Sequence, residues 1–163
     1  MMAPVDVESR ANGDDHLSLR VWLRLLACTN LIEARARGKL RAHFNTTLPR
    51  FDLMAQLERS PNGLRMSEIS RRMMVTGGNI TRIVDQLVEE GIVARETSRG
   101  DRRSFTVRLT TAGRRAFVAM AEHHEAWIVE MFGVLTRKER AQLFALLAKL
   151  KSHAARLAEG SGQ

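Results

Sequence analysis

Apolar residues recur at helical spacing over three long segments of the chain. The first runs from Leu17 to about His43, the second from Thr110 to Met131 and the third from about Thr136 to Leu157. Spacings of three and four residues predict amphipathic α-helices. A single small domain offers too little surface to cover all three apolar stripes. The pattern therefore favours a homodimer formed by the N- and C-terminal helices, although packing within one chain would account for one stripe.

Between these segments the pattern changes several times. A helix is predicted to start near Thr46–Pro49 and to stop at residues 60–63, and an extended piece follows at 64–66. Ser67 is the predicted N-cap of a second helix, which runs to about Met74 and is followed by a tight turn at 75–78. Apolar residues then fall at i, i+3, i+4, i+7 and i+8, namely Ile80, Ile83, Val84, Leu87 and Val88. This stripe predicts a further helix, which Gly91 would follow as the first residue beyond the C-cap.

The next segment predicts a β-hairpin. Residues 92–98 and 104–109 are β-rich runs on either side of RGDRRS, residues 99–104, and Gly-Asp is a strong turn signal. Three arginines, Arg99, Arg102 and Arg103, surround Asp101 at this predicted tip. These charges would either keep the tip soluble or meet a negatively charged surface, with Asp101 bracing one arginine while the others contact phosphates.

The charge of the chain favours a nucleic-acid partner. There are 26 Lys+Arg residues against 18 Asp+Glu residues, which gives a net charge of +8 and a pI near 11.1. Residues 1–16 differ: their net charge is −3 and they lack apolar periodicity, so they are predicted to be a disordered acidic tail. The sequence contains no run typical of a membrane span or a secretory signal, and it has a single cysteine, which together predict a cytoplasmic protein without membrane contact.

The order of short strand, helix, tight turn, helix and hairpin is that of a winged helix-turn-helix, so the predicted fold is mainly α with a small β-hairpin wing. In such proteins the second helix of the pair enters the DNA major groove and the hairpin lies against the adjacent minor groove. The predicted organisation comprises the tail 1–16, first helices for dimerisation and ligand binding at 17–63, the DNA-binding lobe at 64–109, C-terminal dimerisation helices at 110–158, and a flexible tail at 159–163.

A family resemblance is carried by residues 66–114, MSEISRRMMVTGGNITRIVDQLVEEGIVARETSRGDRRSFTVRLTTAGR. They resemble the MarR family of bacterial transcription regulators, with the Asp-x-Arg wing signature at Asp101 and Arg103 and the Leu-Thr-x-x-Gly start of the following helix. The flanking helices also fit the dimer of that family, so the resemblance spans about residues 17–157. It implies a dimeric repressor that releases a palindromic operator when a ligand binds.

The resemblance implies a set of DNA contacts. Base or phosphate contacts are expected from Thr76, Gly78, Asn79, Thr81 and Arg82, a minor-groove contact from Arg103, and supporting roles at the wing tip from Arg99, Asp101 and Arg102. Purely structural roles remain open for some of these residues, since a threonine can cap a helix and Asn79 and Arg82 can form a solvated face.

Members of the family usually respond to a small molecule bound between the dimerisation helices and the DNA-binding lobe. Residues 19–76 are similar to a subgroup that represses hydroxycinnamate catabolism and is released by hydroxycinnamoyl-CoA, which implies an aromatic acyl-CoA effector. An apolar slot would be lined by Trp22, Phe51 and Met54, with ligand phosphates met by Arg24 and Arg50, or by Arg35 or Arg41. The same residues would also suit the core and surface of an ordinary helix pair.

Other kinds of chemistry find little support in the sequence. Cys28 lies among leucines and the chain has no tyrosine, so Cys28 is predicted to be an inert packing residue rather than a peroxide sensor. The only candidate metal ligands are His123-His124 with Glu122 and Glu125, but neighbours on a helix point in different directions, so surface histidines are expected.

No catalytic constellation stands out, and the protein is predicted to be neither an enzyme nor a cofactor-binding protein. Two alternatives to an acyl-CoA-responsive repressor stay open. One is a ligand-independent architectural DNA-binding protein, and the other is a regulator that senses a free aromatic carboxylate or another metabolite.

Overall fold

A computed structural model describes residues 16–73, 77–98 and 101–160 of the chain. Within these residues the elements are α1 (Leu17–Phe44), α2 (Leu48–Glu58), β1 (Leu64–Arg65), α3 (Met66–Met73), α4 (Gly77–Glu89), β2 (Val93–Ser98), β3 (Asp101–Leu109), α5 (Thr111–Met131) and α6 (Arg137–Gly160). The predicted fold class, mainly helical with a small β-sheet wing, is confirmed. The chain divides into two compact units, Met1–Glu125 and Ala126–Gln163. None of the helices in the described ranges has the length and apolar character required to span a bilayer.

The predicted hairpin is present, but its second strand begins earlier than the sequence indicated. The sheet has the order β1-β3-β2 with antiparallel pairs throughout. Thr97 faces Phe105, whereas Ser98 faces Asp101, so the register shifts between these two pairs. Backbone pairing does not depend on side-chain polarity, and the strand therefore continues through the charged residues that had been assigned to the tip. β2 ends at Ser98 and β3 begins at Asp101.

Helix α4 is held by the predicted apolar stripe. Ile80, Ile83, Val84 and Leu87 are buried, and Val88 is half-buried. The predicted tight turn at 75–78 is wrong in its second half, because Gly77 and Gly78 are the first residues of α4, while residues 75 and 76 lie outside the described ranges. Burial of the stripe outweighs the low helix propensity of these glycines.

Helix α4 ends with Gly91 as the first residue beyond its C-cap, as the sequence predicted. Gly91 has a φ of +71°, the left-handed conformation that favours glycine. The amide of Gly91 donates to the Val88 carbonyl at 3.0 Å, and the amide of Ile92 donates to the Leu87 carbonyl at 2.9 Å. These two bonds form a Schellman motif, which pairs carbonyl groups that the helix itself leaves free.

The starts of the first helices depart from the sequence prediction at one point. Ser67 is not the N-cap of α3, because the helix begins at Met66, directly after β1. The Glu68 carboxylate instead accepts a hydrogen bond of 2.9 Å from the amide of Arg65, which is half of a capping box. Thr47 is the N-cap residue of α2, although its side chain makes no capping hydrogen bond.

The apolar stripes of the long helices are covered to different extents. Along α5 the predicted stripe is buried or half-buried at each position, namely Phe117, Met120, His124, Trp127 and Met131. In α6, all of which is described, no residue is buried, and Phe144 is 77% exposed. In α1 only Ala36 and Leu40 are buried. The apolar stripe of α5 is therefore covered within the single chain, whereas most apolar residues of α1 and α6 are exposed to solvent.

Cys28 is exposed on α1, so the prediction of a packed cysteine is wrong. Its local sequence is apolar, but the neighbouring Val21, Trp22, Leu26 and Leu31 are exposed as well. Local hydrophobicity predicts burial only where another element covers the helix, and this half of α1 is uncovered in the single chain.

Candidate nucleic-acid interface

The outward face of α4 is polar and accessible. Asn79, Thr81 and Arg82 are exposed on the side of the helix opposite its buried stripe. Gly78 lies in the first turn of α4, where backbone amides have no partner within the helix. The structure thus brings four of the residues implied by the family resemblance onto one side and one end of a single helix.

The remaining predicted DNA-contacting residues lie at or near the limits of the described chain. Thr76 and Arg99 fall outside the described residues. Asp101, Arg102 and Arg103 lie in the first part of β3, where the backbone is described but the side chains are not. Their backbone therefore belongs to a strand of the wing, here defined as β2, β3 and their connection, rather than to a broad turn.

A contact that sequence reasoning missed joins the wing to α4. Arg95 of β2 forms an ion pair with Asp85 of α4, and its guanidinium carbon lies 5.1 Å from the centre of the Phe105 ring of β3. Arginine can pair with a carboxylate and lie over an aromatic face at the same time. These three side chains, called the wing clamp below, link the wing to the helix that it follows.

We expect the Arg95→Ala variant to be less stable by about 1 kcal/mol, because a partly exposed ion pair and a cation–π contact are each worth about 1 kcal/mol or less. Urea unfolding at a fixed protein concentration measures this change. Arg108→Ala is the matched control, because Arg108 forms its ion pair with Glu96 within the hairpin rather than with a residue of α4. A double-mutant cycle with Asp85→Ala that gives no coupling energy would contradict the wing clamp.

A cavity of about 470 Å³ lies beside α2 and is called the ring cavity here. Phe51 of α2 and Phe117 of α5 stack with 5.5 Å between ring centres, and the His124 ring lies 4.7 Å from that of Phe51. Arg59 and Arg72 also line the cavity. The ring cavity therefore combines aromatic surface with two cationic groups, a pairing suited to aromatic anions.

Asp52 contributes an acidic group to the ring cavity. Partial burial raises the pKa of this carboxyl above its ordinary value of 3.8, while nearby His124 acts in the opposite direction and Glu33 adds to the rise. Proton uptake by Asp52 would reduce the repulsion that a bound anion experiences, because the cavity would then lose one negative charge.

A second cavity of about 470 Å³ is bordered by α2, the end of α4 and α5 and is called the Arg50 cavity. Arg50 pairs there with Glu90, the residue that follows α4. Met54 also lines this cavity.

The five residues predicted to bind a ligand are thus not brought together. Phe51 lines the ring cavity, whereas Arg50 and Met54 line the Arg50 cavity. Trp22 and Arg24 line neither of these two cavities, and Trp22 is 54% exposed. Successive residues of a helix point in different directions, so the side chains of Arg50 and Phe51 lie on different sides of α2.

The two histidines of α5 have separate aromatic contacts. His123 is exposed, as predicted, and its ring forms a T-shaped pair with the Phe44 ring at a centroid distance of 5.3 Å. His124 is half-buried against Phe51, so the prediction of a surface position is wrong for this residue. Within the described ranges, no group of three or more His, Cys, Asp and Glu side chains is arranged to hold a metal ion.

A helix pair followed by an antiparallel hairpin, with an exposed polar face on the second helix, defines a winged helix-turn-helix protein. The sequence pattern of the MarR family matches residues 44–104. An uncharacterized HTH-type transcriptional regulator of Bacillus cereus is 28% identical over 141 residues, which cover 86% of this chain and 92% of that protein. The transcriptional activatory protein BadR of Rhodopseudomonas palustris is 25% identical over 160 residues, which cover 96% of this chain and 91% of BadR.

Among solved structures, a MarR family transcriptional regulator from Silicibacter pomeroyi superposes with a TM-score of 0.74 at 27% identity, covering 88% of this chain and 99% of that one. The chain is therefore similar to the MarR family of winged helix-turn-helix transcription regulators, whose pattern covers residues 44–104. Its relatives are transcriptional regulators and not enzymes, and members of the family bind DNA and act as dimers.

Proposed function

We propose that the protein is a homodimeric transcriptional repressor that binds a palindromic operator and releases it when a small aromatic effector binds. The exposed polar face of α4 beside a basic wing carries this proposal. Residues 65–115 contain 11 basic and 6 acidic residues, a net charge of +5, which suits a phosphate backbone. Such a protein acts where the DNA is, in the cytoplasm of a bacterium.

The open apolar faces of α1 and α6 support the dimer. Leu31 of α1 is 72% exposed, and Phe144 and Leu146 of α6 are 77% and 66% exposed. Large exposed apolar side chains on two long helices are typical of surfaces that bury against another subunit. A two-fold dimer would place two α4 helices for two half-sites about one helical turn apart.

In the proposed complex α4 enters the major groove. Asn79, Thr81 and Arg82 would read base edges, and Thr76 and Gly78 would contact phosphates at the start of the helix. The wing would follow the adjacent minor groove. There Arg103 would insert, Asp101 would hold its guanidinium, and Arg99 and Arg102 would meet phosphates.

Fluorescence anisotropy on DNA from upstream of the protein's own gene tests this function. We expect tight binding to a palindromic site and much weaker binding to a scrambled duplex of the same length and composition at moderate salt. Equal affinities with a steep salt dependence would contradict the proposal and favour an architectural DNA-binding protein.

For the effector we propose an aromatic acid CoA thioester such as a hydroxycinnamoyl-CoA, so that the protein controls aromatic-compound catabolism. The ring cavity supports this class, because Phe51 and Phe117 offer ring faces and Arg59 and Arg72 offer positive charge. About 470 Å³ suits the aromatic acyl part alone, so the nucleotide of the thioester would lie outside. Titration of the DNA complex with p-coumaroyl-CoA and separately with free p-coumarate distinguishes a thioester sensor from a sensor of the free acid.

We expect Phe117→Ala to raise the effector concentration needed for half-release of DNA by about 3- to 10-fold, because the aromatic contact is lost. DNA affinity without effector should change little. Val118→Ala, at an exposed neighbouring position on α5, is the matched control. An unchanged effector response in Phe117→Ala would contradict binding in the ring cavity.

Activation of transcription is an alternative to repression, and the name of one relative favours it. BadR, which matches nearly the whole chain, is named as an activatory protein. Transcript levels of the neighbouring genes in a strain lacking this protein decide the sign: they rise for a repressor and fall for an activator.

A further inference from the structure

Helices α4 and α5, which the wing separates in the chain, meet where α4 ends and α5 begins. The Thr110 amide donates to the Ile92 carbonyl at 3.0 Å. The Thr110 hydroxyl donates to the Gly91 carbonyl at 2.7 Å, and its oxygen accepts the amide of Gly113 at 3.0 Å. One hydroxyl group therefore links the turn that ends α4 to the first turn of α5. These four residues are called the α4–α5 junction below.

The backbones of the α4–α5 junction lie in direct contact. Gly113 is buried, and a Cβ atom at its position would overlap the carbonyl oxygen of Ile92. No flexible side chain separates the first turn of α5 from the turn after α4 at this point. Closely packed backbone groups cannot slide or rotate past one another without loss of contact, so the junction resists a change of angle between the two helices.

The start of α5 has a second attachment, to α2. Arg114, the residue after Gly113, forms an ion pair of 2.7 Å with Glu58, the last residue of α2. The first turn of α5 is thus attached to two different helices. Attachments in two directions restrict rotation of α5 about its first turn more than either would alone.

The angle between α4 and α5 would matter for a dimer on DNA. In the proposed function α4 enters the major groove, and the C-terminal helices that begin with α5 join the protomers. We infer that Thr110 is a positioning residue, whose hydroxyl fixes α4 to α5 and thereby sets the half-site spacing that the dimer accepts. The effect on half-site spacing rests on the proposed function, whereas the fixation of α4 does not.

Pulsed electron paramagnetic resonance tests the fixation within one chain and without DNA. Spin labels are attached at Asn79→Cys on α4 and Glu122→Cys on α5, two exposed positions, in a Cys28→Ser background. An excess of unlabelled chain prevents distances between protomers from contributing. We expect a narrow distance distribution in this background and the same distribution after Thr110→Ser, which retains the hydroxyl group.

Thr110→Asp separates positioning from helix capping. A carboxylate still caps α5 by accepting the amide of Gly113, but it has no hydrogen to donate to the Gly91 carbonyl. We expect a broader or shifted distance distribution in Thr110→Asp and in Thr110→Val, which loses both bonds. The control Thr111→Val removes an exposed hydroxyl one residue away and should leave the distribution unchanged. An unchanged distribution in Thr110→Asp means that Thr110 only caps α5, and it overturns the inference.

Anisotropy titrations test the consequence for half-site spacing. The duplexes carry the palindromic site unchanged or with one base pair added or removed at its centre, which rotates one half-site by about 35° relative to the other. We expect the wild type to favour the natural spacing by about 10-fold or more, and Thr110→Asp to reduce this ratio by about 3-fold or more. Partial unfolding or added negative charge lowers affinity for all duplexes alike, so the ratio reports positioning. An unchanged ratio overturns the role in half-site spacing.

The two experiments separate the inference from the proposed function. If the wild type binds the operator no better than a scrambled duplex, the proposed function fails, and the distance distributions still decide whether Thr110 fixes α4 to α5. If the wild type prefers the operator and Thr110→Asp retains its distance distribution, the inference fails and the proposed function stands. Thermal melts establish that each variant is folded, and Thr110→Asp alone decides the matter if Thr110→Val does not fold.

Discussion

Replacement of Gly113 by alanine is expected to destabilise the protein by about 3 kcal/mol, which is the upper part of the range for overpacking a closely packed site. A Cβ atom at this position would lie 1.9 Å from the carbonyl oxygen of Ile92. That oxygen is itself a hydrogen-bond acceptor for the amide of Thr110 at 3.0 Å. A backbone carbonyl cannot swing aside as a flexible side chain can, so α5 or the turn after α4 must shift.

The hydroxyl of Thr110 forms hydrogen bonds that connect the turn after α4 to the start of α5. It donates to the Gly91 carbonyl at 2.7 Å and accepts the amide of Gly113 at 3.0 Å as the N-cap of α5. A shift forced at Gly113 would therefore disturb the Schellman turn of α4 as well as the start of α5. We expect a lower urea midpoint and weaker operator binding in the same variant.

Gly38→Ala is the matched control for this prediction. Gly38 lies within α1, and a Cβ atom there would meet nothing within 4 Å. Alanine is favoured over glycine in a helix interior by about 1 kcal/mol, so this variant should be more stable than the wild type. Urea unfolding at one protein concentration measures both variants, since dimer stability depends on concentration. A Gly113→Ala protein as stable as wild type would contradict the packing of this junction.

The second large effect is expected from the double variant Arg82→Ala/Arg103→Ala. Each substitution should weaken operator binding by about 1 to 3 kcal/mol, since each removes a charged contact in a groove. Arg82 lies on α4 and Arg103 on the wing, and effects at separate contacts add approximately. The sum of at least about 2 kcal/mol corresponds to a loss of about 30-fold or more in affinity.

Arg37→Ala/Arg156→Ala removes the same charge from exposed positions of α1 and α6 and is the matched control. We expect only a small loss from this control, because the arginines lie outside the proposed DNA-contacting surface. Anisotropy titrations at several salt concentrations compare the two variants. Equal losses in both would mean that overall charge, and not the two proposed contacts, determines affinity. In that case the arginines of RGDRRS would serve solubility.

The sequence predicted the elements of the DNA-binding unit closely. The buried stripe of α4, its exposed face with Asn79 and Arg82, and the closing turn at Gly91 all followed from local patterns. The wing was predicted as a hairpin, but its second strand begins at Asp101 rather than Ser104. Side-chain chemistry indicates where a chain can turn, whereas backbone pairing with a neighbouring strand decides where it does.

The candidate ligand sites were predicted less well. Arg50, Phe51 and Met54 were assigned to a single slot, and the structure distributes them over two cavities on different sides of α2. Sequence spacing shows which residues share a helix face, but not which other helices cover that face. The His124 contact with Phe51 and the ion pair between Arg50 and Glu90 join residues far apart in the chain, and no local pattern indicates them.

By itself the sequence determined the helix and strand order, the basic character of the DNA-binding lobe and the resemblance to the MarR family. These properties depend on hydrophobic periodicity, turn residues and net charge, which act over a few neighbouring positions or over the composition as a whole. The tertiary structure alone decided that Arg95 joins the wing to α4, that Thr110 joins α4 to α5, and that Gly113 has no room for a side chain. Such features arise only when distant segments pack together, because contact geometry depends on both partners and a linear pattern describes one segment at a time.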